Sequence, residues 1–462
     1  MTPARKPKGR TLAEFEPLQP AEKLLRSACW QGKVARISDS RPEAEHENNT
    51  VRAAFLRFLA LGGDEQAPVH ERGVRLQGAW ITDTLDLISA SVPSGLGMVH
   101  CQFSETPLFT DTDIAGTLNF TCSQLPGFVG LGMTVSGNLI CNDATFDGKE
   151  GDALSADGAV INGAVFLKKA RATGKVRLLG AQIGRNLECN DATFDGKKGA
   201  SLSADGAVIK GGVFLDNVRT TGEVRLLGAQ INNNLECNDA IFNGKDGDTL
   251  SADGAVIKGT VFLEKARATG KVRLLGAQIN GSLKCNDAIF NGKDGDALSA
   301  NGMTVSNTFF FRDTSIFGRI SLVGVHIGRL ADDATSWGKC LILDGLTYGS
   351  ISIGAPTDAT TRLAWLDRQL PEHAGLSGHG AEFKPQPWRQ LAKVLREMGH
   401  AEDARQVSIA FEERLRKADL IGQAPAHWGR LRTGIYRNTC RAGHCLFGWL
   451  TGYGYRQLRL LA

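Results

Sequence analysis

Leu154–Ile161 reads LSADGAVI, and the same string returns at Leu202–Ile209 and Leu250–Ile257, with a degenerate copy, LSANGMTV, at Leu298–Val305. The step is 48 residues each time. Cys141, Cys189, Cys237 and Cys285 keep this step, as do the VRLLGAQI segments at Val176–Ile183, Val224–Ile231 and Val272–Ile279, echoed at Ile320–Ile327. Near-identity over three copies marks an array of structural repeats rather than a single compact core.

Within one period the apolar positions Ile257, Leu263, Ala268, Leu274, Ile279, Cys285 and Phe290 fall five or six residues apart, with small or turn-forming residues between them. This spacing fits neither a helix nor a long alternating strand. It predicts very short strands joined by corners, each turning one or two side chains inward, as in a β-solenoid. Four faces make a coil of roughly 22 residues, so a period holds two coils and a few residues more. The surplus is expected in the Gly/Asp-rich stretches DGKEGD, DGKKGA, NGKDGD and NGKDGD, which begin at Asp147, Asp195, Asn243 and Asn291 and read as loops. A β-propeller competes at this period, but glycine or alanine every five or six residues leaves no room for its four longer strands.

Segments such as Ala255-Val256-Ile257 and Ala277-Gln278-Ile279 resemble the small-x-apolar core of the bacterial pentapeptide-repeat proteins, with five- and six-residue steps alternating here. The resemblance covers Gly73 to Ile353. It implies a mainly β fold, a right-handed quadrilateral β-helix, here with an α-helical N-terminal cap and a C-terminal α-helical pair. About twelve coils at about 4.8 Å each span on the order of 55 to 60 Å. The flanks resemble bacterial proteins catalogued as membrane-associated oxidoreductases, which implies a membrane-associated enzyme as an alternative. The residues supply no motif for it. GLGMTVSG at Gly130–Gly137 lacks the third glycine of a dinucleotide fingerprint, and Gly375-Leu376-Ser377-Gly378-His379 breaks the nucleophile-elbow pattern at its last position. No catalytic residue and no cofactor is assigned.

Stacked coils separate residues two turns apart by about 10 Å. The four periodic cysteines therefore cannot pair with one another, since a disulfide needs Cα atoms within about 7 Å, and they read as buried core thiols. The surplus loops carry Lys149, Lys197, Lys245 and Lys293 among their carboxylates, which favours ordinary turns over calcium sites. Cys440, His444 and Cys445 are ligand types without a second cluster at zinc spacing, so no metal is assigned.

The formal net charge is +4, and from Phe146 to Ala300 there are 20 Lys and Arg against 19 Asp and Glu. A near-neutral array lacks the field needed to imitate DNA before a topoisomerase, and nucleic acid is an unfavoured partner. The basic start, Arg5, Lys6, Lys8 and Arg10, leads into no apolar stretch, and ten cysteines suit a reducing compartment. These point to a cytoplasmic chain, peripheral where it meets the inner membrane.

Five segments follow: a helical N-terminal cap (1–72), the solenoid (73–353), a linker (354–383), a helical hairpin (384–419) and a basic aromatic tail (420–462). In the first, Ala13 to Cys29 reads as helical across Pro20, and Asn49 or Thr50 caps a helix presenting Val51, Ala54, Phe55, Phe58 and Leu59 before Gly62 and Gly63 stop it. In the hairpin, Trp388–Met398 and Ala401–Lys417 are split by Gly399 and His400.

The tail holds six arginines, Arg430, Arg432, Arg437, Arg441, Arg456 and Arg459, and no Asp, Glu or Lys. Trp449, Tyr453 and Tyr455 lie among them, with Trp428, Tyr436 and Phe447 beside. Arginine with interfacial aromatics suits an anionic bilayer surface, into which Cys445 to Leu450 dips. The resemblance adds that a motif like Gly452–Arg456 precedes membrane-spanning helices in relatives. The expected function is a non-catalytic scaffold or interaction rod attached to the membrane through these nine residues. The protein partner is unknown, and self-association stays open.

Overall fold

The computed structural model describes residues 10–148, 151–376, 382–423, 425 and 427–455, without the side chains of Lys197, Lys198, Lys245, Asp246 and Asp294. It is predominantly β, a parallel β-solenoid of about 12 turns, with six α-helices among the described residues. Two compact units are distinguished, Met1–Arg273 and Leu274–Ala462.

The first unit opens with a 3-10 turn, Leu12–Phe15, and helix α1, Pro20–Gln31, so Pro20 begins the helix that the sequence led us to start at Ala13. A proline at this position is pre-set for a helix and has no N–H to leave unpaired. Glu22, fully buried, closes a capping box with Gln19 and accepts hydrogen bonds from Nε and Nη2 of Arg52 at 2.8 and 2.7 Å. Arg52 lies in a strand, Thr50–Arg52, paired with Trp80–Thr82, so helix α2 is only Ala53–Ala60. Asn49 and Thr50 do not cap it, because the backbone there joins the sheet.

From residue 74 onward the chain makes turns of about four short strands, most of them two residues long. The register shows how the period is built. Asp113 faces Thr134 at 21 residues, but Thr134 to Val160 is 26, Val160 to Gln182 is 22, Gln182 to Val208 is 26 and Val208 to Gln230 is 22. The 48-residue repeat is therefore one 22-residue turn and one 26-residue turn. The four added residues fall in the Gly/Asp-rich stretches, as the sequence led us to expect. They form bulges inside continuous strands, Thr193–Ser203 and Ile241–Ser251, with register shifts after Asp195 and Asn243. Gly222, at φ +124°, passes so close to the first bulge that a Cβ there would lie 2.2 Å from the Gly199 carbonyl oxygen. No other residue fits.

Large and small side chains alternate up the interior, Phe146, Ala172, Phe194, Thr220, Phe242 and Ala268, each buried and each stacked on the next turn. Alternation lets a phenylalanine fill the space that a neighbouring alanine leaves. Cys141, Cys189 and Cys237 are buried free thiols, and burial pushes the pKa of each upward; Cys101 is pushed up to about 12 in the same way. Side-chain carbonyls of Asn138, Asn186 and Asn234 accept the N–H groups of Ala164, Gly212 and Thr260, which helps explain asparagine at this step of the repeat.

The second unit continues the same pairing, with Gln278 facing Thr304 and Thr304 facing His326, in strands that lengthen to eight residues at Thr304–Phe311. The last strand, Thr347–Ile351, meets helix α4, Gln386–Glu397, described below. The stretch expected as linker carries a helix, α3, Ala359–Leu366, capped by Asp358. Its Arg362 forms a bidentate pair with Asp332, 2.7 and 2.8 Å, at 2% and 0% side-chain exposure, and Trp337 donates to the same carboxylate at 2.7 Å. Next, α4 lays Gln386 and Gln390 along the final strand, where their amides donate to the carbonyls of Leu346 and Tyr348. Helix α5, Ala401–Lys417, follows Gly399 and packs on α4, and Leu391, Leu395, Ala404, Val407 and Phe411 are buried. This is the helical pair read from the sequence.

Candidate membrane-facing surface

The tail forms one helix, α6, Arg430–Thr451, started at Gly429 and ended by Gly452 in the left-handed region. None of its residues is buried. Its turns nevertheless have two distinct faces, because residues three and four apart share a side.

One face is engaged with α5. Arg437 and Arg441 both pair with Asp419, at 3.0 and 3.3 Å, and Arg441 also donates to the Arg416 carbonyl at 3.0 Å. His444 lies 3.1 Å from Glu412, and its ring stacks 4.5 Å from that of Tyr453. Arg416 donates to the Tyr453 hydroxyl at 3.1 Å. Gly448 is what admits this tyrosine, since a Cβ there would sit 2.3 Å from the ring.

The opposite face is apolar and open. Leu431, Ile435, Leu446 and Trp449 are 80%, 62%, 57% and 69% exposed, and their spacing of four, eleven and three residues keeps them on one stripe. At its flank Arg432 lies over the Trp428 ring at 4.1 Å, and Trp428 meets Tyr436 edge-on at 5.3 Å. Phe447 and Tyr455 are also exposed. The helix holds no acidic residue.

The nine residues singled out from the sequence therefore divide. Arg432 and Trp449 are on or beside the open surface, whereas Arg437, Arg441 and Tyr453 are turned to the helical pair, Tyr455 lines a cavity with Trp388, Arg389 and Phe411 of that pair, and Arg430, seven residues before Arg437, is exposed on the same side of the helix. Arg456 and Arg459 lie outside the described residues, as do Ser377, Gly378 and His379. Leu446 falls within the Cys445–Leu450 stretch expected to dip into the bilayer, whereas Leu431 and Ile435 were not singled out, although their helical spacing was the available signal. Opposite charges just upstream decide the division: Asp419, the residue before the tail, captures two of its arginines.

Among the described residues no helix is long and apolar enough to cross a membrane, and no group of three His, Cys, Asp or Glu side chains is placed to hold a metal ion. No family model, curated protein or solved structure matches this chain.

Proposed function

We propose that the protein is a non-catalytic scaffold, a loose relative of the pentapeptide-repeat proteins, held at an anionic membrane surface by α6. The observation that carries the reading is the open apolar stripe of Leu431, Ile435, Leu446 and Trp449 on a helix whose other side is already occupied by α5. A helix with an apolar face ending in tryptophan, arginine at its flank and no carboxylate suits the plane of a bilayer interface. The balance of forces differs from a purely basic tail. Each basic side chain near an anionic surface contributes about 1 kcal/mol, and with Arg437 and Arg441 shared with Asp419, only Arg430 and Arg432 among the described tail residues are unpaired by a carboxylate. Apolar insertion is the larger contribution.

The test is flotation of the full-length protein with vesicles. Wild type should float with phosphatidylserine-containing vesicles, and phosphatidylcholine alone should weaken binding by roughly thirtyfold, the equivalent of two such charges. Ile435→Glu/Leu446→Glu, two exposed changes that leave the fold intact, should stay at the bottom of the gradient. Equal flotation of both proteins, or none of wild type, would transfer the stripe to a protein partner.

A further inference from the structure

The near-identical repeats of the first unit build a surface feature independent of the tail. A cavity of about 810 Å³ runs across four successive turns and is lined by Arg177, Ser203, Asp205, Glu223, Arg225 and Asp248, among others. Register places Arg177, Ser203 and Arg225 side by side on consecutive turns, so they form its floor. The glycine bulges that lengthen every second turn, through Gly199 and through Gly244 and Gly247, stand along it. The groove is thus a product of the 22/26 alternation: a solenoid with equal turns would have no bulges beside its arginine ladder.

Its chemistry repeats with the sequence. Arg177 pairs with Asp157 and, at 3.2 Å, with Asp152; Arg225 donates to Asp205 through Nε and Nη2 at 3.0 and 2.7 Å; Arg273 pairs with Asp253 and, at 3.2 Å, with Asp248. These guanidinium–carboxylate pairs recur every two turns, about 10 Å apart. Part of this has a structural purpose, since Oδ1 of Asp157 and of Asp205 accepts the N–H of Leu179 and of Leu227. The arginines have no such backbone duty. All three are about one-third exposed, and Arg177 and Arg225 line the cavity.

We propose that this groove binds an extended, uncharged polysaccharide, with Arg177 and the Arg225–Asp205 pair, two turns apart, as its subsites. The lining selects the class. Lys175, Arg177 and Arg225 face Asp205, Glu223 and Asp248, so among the described side chains a polyanion meets three carboxylates and a polycation three cations. A sugar hydroxyl accepts from a guanidinium and donates to a carboxylate at once, and vicinal hydroxyls match the bidentate geometry of both. A repeating polymer exploits a 10 Å subsite spacing, the scale of an extended disaccharide, and links weak subsites into usable affinity. A peptide is disfavoured because the floor strands already pair with the turns above and below, leaving no free edge for an added strand.

Native electrophoresis of the full-length protein through gels containing hydroxyethylcellulose, laminarin or dextran tests this, with polygalacturonate as the charged control. Retardation at least threefold by one neutral polymer, insensitive to 0.5 M salt and abolished in Arg177→Met/Arg225→Met, is the result expected. A fall in the unfolding midpoint no larger than the loss of two exposed ion pairs explains shows that the ladder, not the fold, was removed; if the midpoint falls further, Lys175→Met/Glu223→Gln is read instead. Unretarded wild type in all three neutral gels, retardation only by polygalacturonate, or a doubly substituted protein retarded as strongly as wild type overturns the proposal. None of these outcomes bears on vesicle flotation, which reads α6 alone.

Discussion

The turns of the first unit and the helices of the second solve the burial of charge in opposite ways. In the turns, Arg177, Arg225 and Arg273 stay at the surface, each about one-third exposed and paired with a carboxylate from a neighbouring turn, while the interior holds uncharged side chains such as Phe194, Ala172, Thr220 and Cys189. In the second unit a complete ion pair, Arg362 with Asp332, is taken out of water and surrounded by Trp337 and Trp365. A repeat distributes its stability over many equivalent contributions, so no single pair matters much. A unique junction concentrates it.

The sharpest test of this contrast is Arg362→Ala. Removing one partner leaves Asp332 charged and buried, with only Trp337 donating to it, and breaking such a pair costs about 3–5 kcal/mol. Chemical denaturation followed by tryptophan fluorescence should show the second unit losing that amount, visible as an earlier transition. Replacing both partners, Asp332→Leu with Arg362→Met, should recover most of it, because an apolar pair of similar volume carries no desolvation cost. A loss below about 1 kcal/mol for the single change would mean that water reaches the carboxylate.

The same contrast explains what could be read from the sequence. The solenoid was legible because each period restates it: apolar residues at steps of five and six, glycine at the corners, and four residues left over from two coils. The helical pair was legible from its own spacing, with Gly399 and His400 between the two segments. Helix α3 was not, since Arg362 acquires its meaning from Asp332, thirty residues earlier on a different element. In the tail, composition identified the arginines but not their partners. Asp419 removes two of them from the surface, and only a helix of known orientation separates Leu431 and Ile435 from the face against α5. The groove was hidden for a related reason: Arg177 and Arg225 keep the 48-residue step, but in the sequence the Gly/Asp-rich stretches read only as loops, with nothing to place them beside these arginines.

A second, smaller effect belongs to Asp333, beside the buried pair. Burial works against its charge, but hydrogen bonds from Ser336, Thr335 and the Asp313 N–H outweigh it and lower its pKa to about 2. A carboxyl whose folded pKa is depressed stabilises the protein above its ordinary value of 3.8, and that contribution is lost as pH falls towards 2. Because the group is partly exposed, screening limits it to about 1 kcal/mol. Asp333→Asn should lower stability by that much at pH 7 and by nearly nothing at pH 2, which flattens the acid limb of a stability–pH profile. An unchanged acid limb would show that these hydrogen bonds are not felt by the charged form.

The smallest effect, and the one that most directly defines the repetitive half of the comparison, is expected for Arg225→Met. Arg225 donates twice to Asp205 and lies 3.7 Å from Glu223, yet it is about one-third exposed, so water replaces much of what the substitution removes. Asp205 is not stranded: its other oxygen still accepts the Leu227 N–H, and the carboxylate keeps access to solvent. Methionine retains the length of the aliphatic stem over the turn below. The expected cost is about 0.5 kcal/mol, within the range of exposed pairs, and smaller still in 0.5 M salt. Arg177 and Arg273 occupy equivalent places two turns away on either side, so the double change Arg177→Met/Arg225→Met should cost about the sum of the two, the behaviour of independent repeats. A single loss above about 2 kcal/mol, or a double loss far from additive, would show instead that the ladder acts as one cooperative network, and the distinction between a distributed solenoid and a concentrated helical junction would fail.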